Sequence, residues 1–296
     1  KSASTAAVSG TVYVGDPQFG AGADVLRLRA SHQVLDTAAI NVYASGRIEL
    51  AGGVEETLGV ITGMIGDASS AAVALASGST LYLGNNPVFN AFPGAAAAVP
   101  ATISGPGSLG LLANNASAAG TRTITVNAAP LGDALVITAP IVNGGPGTFA
   151  GSLTKTGWAS GRAVLDPTSD SAYTGLTTVA SGVLAIRGNK ALGAATLADA
   201  TTGTQVNGGA TLELQGGLTI TDERLKIVGG GNLPVYTATW TTGPAWPYNN
   251  TAWGVGALRA VSGDNIWTQS AAGQNLVEFT SGNDAGIGVD AGASLN

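Results

Sequence analysis

Cysteine is absent from the 296 residues. That excludes a disulfide scaffold, a thiolate metal site and a cysteine nucleophile. Charge is scarce: only 10% of residues are Asp, Glu, Lys or Arg, and the net value is −6. No stretch concentrates Lys and Arg, which argues against a nucleic-acid partner. No apolar run reaches the roughly 18 residues that a helix needs to cross a bilayer, so no membrane-spanning helix is expected. Histidine occurs once, at His32. What the chain has instead is 45 Gly, 12 Pro and 45% hydrophobic residues. Disorder does not fit so much apolar surface and so little charge. Apolar residues spaced by small ones suit tightly stacked strands with turns every few residues.

The plainest example runs from Leu153 to Gly193. Thr177-Thr178-Val179 leads into Ser181-Gly182, and Val183-Leu184-Ala185-Ile186 leads out, with apolar groups alternating on both sides of the corner. Comparable corners stand at Ser45-Gly46, Ser77-Gly78, Gly208-Gly209 and Ala291-Gly292. Gly supplies the positive φ that such a corner needs. The spacing between corners is irregular, whereas a propeller or a helical repeat keeps a stricter period. A coiled ribbon tolerates loops of varying length, because each winding contacts only its neighbours. The expected fold is therefore all-β: a right-handed parallel β-helix, forming one β-solenoid segment over residues 1–296. With windings of roughly 20–25 residues about 4.8 Å apart, the rod is about 60 Å long.

Two stretches break the pattern and are read as loop excursions, near 85–107 and 233–253. The second gathers Tyr236, Trp240, Trp246, Tyr248 and Trp253, and Pro244 and Pro247 keep its tip out of a central strand. Residues 191–200 read as a strand edge. The chain opens at Lys1 without Met and closes on Asn296 inside a strand-like phrase, as expected of a piece of a longer or self-assembling polypeptide.

The central stretch resembles the autotransporter-associated β-strand repeat, a phrase close to L-x-K-x-G-x-G-x-L-x-L, then N-T-Y-T-G-x-T-x-V-x-x-G-x-L, then A-L-G. Leu153, Lys155, Gly157 and Leu165 answer its first part. Tyr173, Thr174, Gly175, Thr177, Val179, Gly182 and Leu184 answer the second, and Ala191-Leu192-Gly193 the third. The chain departs from the family between Gly157 and Tyr173, where Trp158, Pro167 and Asp170 stretch the phrase. Leu26-Arg27-Leu28, Glu56-Thr57-Leu58-Gly59 and Gly256-Ala257-Leu258-Arg259 look like longer forms of the same repeat. The resemblance implies a passenger-type solenoid of an exported bacterial surface protein, extracellular and commonly an adhesin or fibre.

Little in the sequence carries chemistry. His32 lies on a turn with Ser31 and Asp36 too close along the chain to complete a triad, and no nucleophile elbow is near. Glu55-Glu56 and Asp222-Glu223 are adjacent pairs, and neighbours on a strand point to opposite faces. Asp264-Asn265 and Asn283-Asp284 offer oxygens to Ca²⁺ but read better as turn formers. No catalytic residue, metal or cofactor is expected. Ligand or partner contact is assigned to Tyr236, Trp240, Trp246, Tyr248 and Trp253, whose amphipathic rings suit a glycan or a protein surface. Three functions follow in order. The first is a structural stalk or filament that stacks head to tail with itself or with flanking repeats. The second is an adhesin module binding glycan or protein through 233–253. The third is a polysaccharide-degrading β-helix enzyme.

Overall fold

The computed structural model describes residues 6–17, 22–93, 99–128, 132–145, 149–194, 202–232, 255–270, 276–280 and 285–296. Every regular element among them is a β-strand. Every strand pair among them is parallel. One circuit shows the plan. Ile40–Val42 lies in a first sheet, Gly46–Leu50 in a second and Glu55–Leu58 in a third. Ile61–Ile65 then returns to the first sheet, one strand along. Among the described residues, repetition builds sheets of 10, 12 and 4 strands around one interior. This is a β-solenoid.

The alternation seen in the sequence becomes columns of side chains running down the interior. In the second sheet Ile48, Val73, Ile103, Ile137, Leu165, Ile186 and Leu214 are in register and buried. In the third sheet Leu81, Leu109 and Ile141 do the same. Each such side chain contributes about 1.5–3 kcal/mol by leaving water. A one-residue slip would turn a whole column out to solvent, so register is firmly held.

The expected rod length is too long. One strand per winding gives the 10-stranded sheet a span of about 45 Å at the usual strand spacing. The windings are fewer because they hold more residues than expected and differ in size. Ile40 pairs with Ile61, whereas Leu225 pairs with Val277 far along the chain.

The irregular corner spacing has a structural cause: the corners are of two kinds. Ser45-Gly46, Ser181-Gly182 and Gly208-Gly209 turn the chain from the first sheet to the second. Ser77-Gly78 turns it from the second to the third, and Ala291-Gly292 occupies the equivalent place in the last winding. Both kinds solve one local problem, since Gly78 and Gly182 take φ values of 74° and 69°. Such values suit a residue without a Cβ.

The first expected excursion is corrected. Within 85–107, Val88–Ala91 is a strand of the first sheet and Ala101–Ser104 a strand of the second. Pro87 disguises the first of them. It sits just before the strand, where its missing N–H costs nothing, and its carbonyl accepts the Thr125 amide at 3.0 Å. Ala191 and Leu192 belong to a buried turn rather than to a strand edge. The second expected excursion, 233–253, lies outside the described residues.

Candidate functional site

The aromatic residues assigned to contact, Tyr236, Trp240, Trp246, Tyr248 and Trp253, all lie outside the described residues. The described chain on either side of them is firmly placed. Gly231 and Gly256 form a parallel bridge. Asn232 is buried, its backbone N–H donating to Thr211 Oγ1 at 2.8 Å and its Nδ2 to the Ala159 carbonyl.

The most unusual surface is the last winding. Val277–Phe279 pairs with Leu225–Ile227, and Ile287–Val289 pairs with the start of Leu258–Thr268. Register places Phe279 against Ile227, Ile287 against Leu258 and Val289 against Ala260. Their partners are buried, yet Phe279, Ile287 and Val289 are 52%, 49% and 51% exposed. These are core positions with no winding above them among the described residues. Ala293–Leu295 continues the same uncovered rim. The charges of this winding reach back toward the preceding one. Glu278 binds Arg224 at 2.7 Å, and the Arg224 hydrogen bond holds its carboxyl below the usual range. Asp290 takes both Nε and Nη2 of Arg259 at 2.8 and 2.7 Å. Among the described residues this winding thus presents apolar side chains bordered by strand edges that no further strand pairs.

A second feature runs along the outer face of the second sheet. Glu213, 1% exposed, lies between Arg162 at 3.0 Å and Arg259 at 3.1 Å. Arg187 binds Asp133 at 2.7 Å and Gln215 at 2.9 Å, and Arg259 continues to Asp290. The Asp290 hydrogen bond and the Glu213 charge raise Arg259 above its ordinary value. These acids are clamped by guanidinium groups, which suits a structural ladder between windings and not acid–base chemistry.

The adjacent carboxylates diverge, Glu55 and Glu56 by the alternation of their strand and Asp222 and Glu223 at a turn where Asp222 takes a φ of 61°. Asp222 is at a turn and takes the N–H and hydroxyl of Ser270 at 2.7 and 2.6 Å. Glu223 is buried and accepts from Thr204 Oγ1 at 2.7 Å, and burial pushes it up to about 7. Glu55 stays exposed, while Glu56 is fully buried and accepts the Gln33 and Val34 amides at 2.7 and 3.1 Å. Burial outweighs those two bonds and raises the Glu56 pKa. His32 sits on a turn with φ 57°, and the Ser31 hydroxyl accepts the Glu55 amide at 3.0 Å. No triad is assembled there. Asn265 is buried at a corner, accepting the Leu218 amide and donating to three carbonyls, which is a turn role. Asn283 and Asp284 lie outside the described residues. No three His, Asp or Glu among the described residues are grouped to hold a metal ion.

Sequence reasoning misses Lys155 as an interior residue. It is 1% exposed and stacks between Ile124 and Val179. Its Nζ donates to the Gly161 carbonyl at 2.5 Å and the Ser181 carbonyl at 2.8 Å, and burial lowers its pKa to about 7. The signal is there: Leu153 and Lys155 share the inward phase of Leu-Thr-Lys-Thr-Gly. Tyr173 is likewise fully buried, hydrogen-bonded to Thr177 at 2.6 Å, and burial pushes its phenol up. Comparison of the chain with protein-family models, curated proteins and solved structures finds no match.

Proposed function

We propose that this chain is a structural segment of an extracellular bacterial surface protein of the autotransporter-repeat type, a stalk or fibre whose work is to be long and stiff. The observation that supports it is the uncovered terminal core at Phe279, Ile287 and Val289. A further winding, from flanking repeats or from a second copy placed head to tail, would bury those side chains and pair the open strand edges. Stiffness follows from continuous columns and from the Arg–carboxylate ladder that ties windings together. No catalytic role is assigned.

Electron microscopy and sedimentation velocity of the purified chain test this reading. End-to-end particles longer than one rod are expected, and Ile287→Asp with Val289→Asp should return them to single rods. A chain that stays single at every concentration, unchanged by those charges, would sink the proposal.

A further inference from the structure

The outer face of the first sheet carries a groove of about 270 Å³, near the Ile40–Val42, Ile61–Ile65 and Val88–Ala91 strands. Its volume is close to the lower end of the range for ligand pockets. No residue lining it is charged. Tyr43 forms one wall, and Met64 and the Gly63 backbone contribute apolar surface. Asn41, Thr62 and Asn90 supply polar groups. Asn41 is in register with Thr62 on the next winding, and Asn90 lies one winding further on and two residues along its strand, opposite Met64, so the polar side chains step diagonally across successive windings.

Two details distinguish this groove from an incidental dip. Tyr43 is held on one side, because its ring stacks on Tyr13 of the neighbouring winding with centroids 6.3 Å apart and planes 13° from parallel. A ring already fixed loses little further freedom when something packs on it. The polar groups are also uncommitted. Among the described residues, no hydrogen bond involves the Asn41 amide or the Thr62 hydroxyl. Asn90 Oδ1 accepts from Asn127 Nδ2 at 3.0 Å, which leaves the Asn90 amino group available.

We propose that this groove binds a neutral oligosaccharide lying along the rod axis, with one sugar ring against Tyr43 and hydroxyls bonded to Asn41, Thr62 and Asn90. A pyranose ring offers an apolar C–H face to an aromatic side chain and a rim of hydroxyls to amides. The uncharged lining offers nothing to an anionic ligand. Windings about 4.8 Å apart repeat at nearly the interval of a linear sugar chain, so polar groups on successive windings can meet successive rings. The site stands apart from end-to-end stacking.

Calorimetric titration of the whole chain tests it. The probes are hexasaccharides of β-1,4-linked glucose, mannose and N-acetylglucosamine, with hexagalacturonate as the charged control. At least one neutral probe should saturate the protein. Tyr43→Ala should weaken binding about tenfold or more, a loss of about 1.4 kcal/mol per decade. Met64→Trp, which fills the groove from the solvent side, should abolish binding, and Tyr43→Phe should retain it. If Tyr43→Ala does not fold, Met64→Trp and Tyr43→Phe decide alone. The proposal falls if no neutral probe binds at millimolar concentration, or if hexagalacturonate binds equally well. It falls too if Met64→Trp binds unimpaired.

Discussion

Gly63 and Phe89 face each other on adjacent windings, and the ring of one occupies the space the other leaves empty. A Cβ on Gly63 would lie 2.5 Å from Phe89 Cδ1. Gly63→Val should therefore destabilise the fold strongly, because overpacking a tight core costs about 1–3 kcal/mol or more. Phe89→Ala alone should cost about 3–5 kcal/mol through the cavity it leaves. Combined, the two should lose less than the sum of the separate losses, since each relieves the other's fault. Chemical denaturation of the four proteins measures the coupling, and strict additivity would refute the pairing.

Stability should pass through a minimum near neutral pH. Glu223 rises from 4.5 to about 7 in the fold, so the folded chain keeps a proton that the unfolded chain releases. Its contribution is complete below about pH 4.5 and is lost as pH rises to about 7. Lys155 falls from 10.5 to about 7, so the folded chain releases a proton that the unfolded chain keeps. Stability then recovers between about pH 7 and 10.5. Each limb is worth at most roughly 3–5 kcal/mol. Glu223→Gln should flatten the acid limb and Lys155→Met the alkaline one. Melting temperatures across pH 4 to 10 decide, and a maximum at pH 7 in the parent would contradict the assignment.

Glu213 is enclosed by Arg162 and Arg259, so removing its carboxylate leaves two guanidinium groups without their shared partner. Glu213→Ala should cost about 3–5 kcal/mol, the usual penalty for breaking a buried pair from one side. Asp290→Ala, at the more exposed end of the ladder, should cost about 1 kcal/mol or less. Equal losses at both positions would show that burial does not set the energy here.

Glu56 substitutes for a strand, taking two backbone amides of the preceding winding on its side-chain oxygens. Glu56→Ala should raise hydrogen exchange at Gln33 and Val34 selectively, because those amides lose their acceptors. The Glu56→Gln variant keeps one carbonyl oxygen and should protect them in part. Uniform exchange across the first windings in both variants would mean that the carboxylate holds something broader.

Much of this was legible in the residues. Thr177, Val179, Leu184 and Ile186 show the period of two, and each lies inward where the alternation places it. Ser181-Gly182 announces its corner. The third sheet was harder to read, because the same Ser-Gly pair stands at Ser77-Gly78 and Ser45-Gly46, although only Gly78 takes a positive φ, and the pair does not say which face follows. Val88–Ala91 was hidden by composition: Phe89 packs into a neighbour's missing side chain, which is a relation between windings and not a pattern along one of them. Ile287 and Val289 were legible as inward positions ahead of the Ala291-Gly292 corner, but that no described winding covers them shows only once register and exposure are known. The Tyr13–Tyr43 stack likewise joins residues that are distant along the chain and become neighbours only through parallel pairing.

Leu153, Thr177 and Thr204 occupy one column, and their partners agree from winding to winding although the intervening segments differ in length. Removing residues 177–203 should accordingly let Leu153 meet Thr204 directly, giving a rod one storey shorter with its cross-section unchanged. Duplicating the same block should lengthen it by the same step. Length in this molecule is a counted quantity, adjustable in whole units by splicing at the corners.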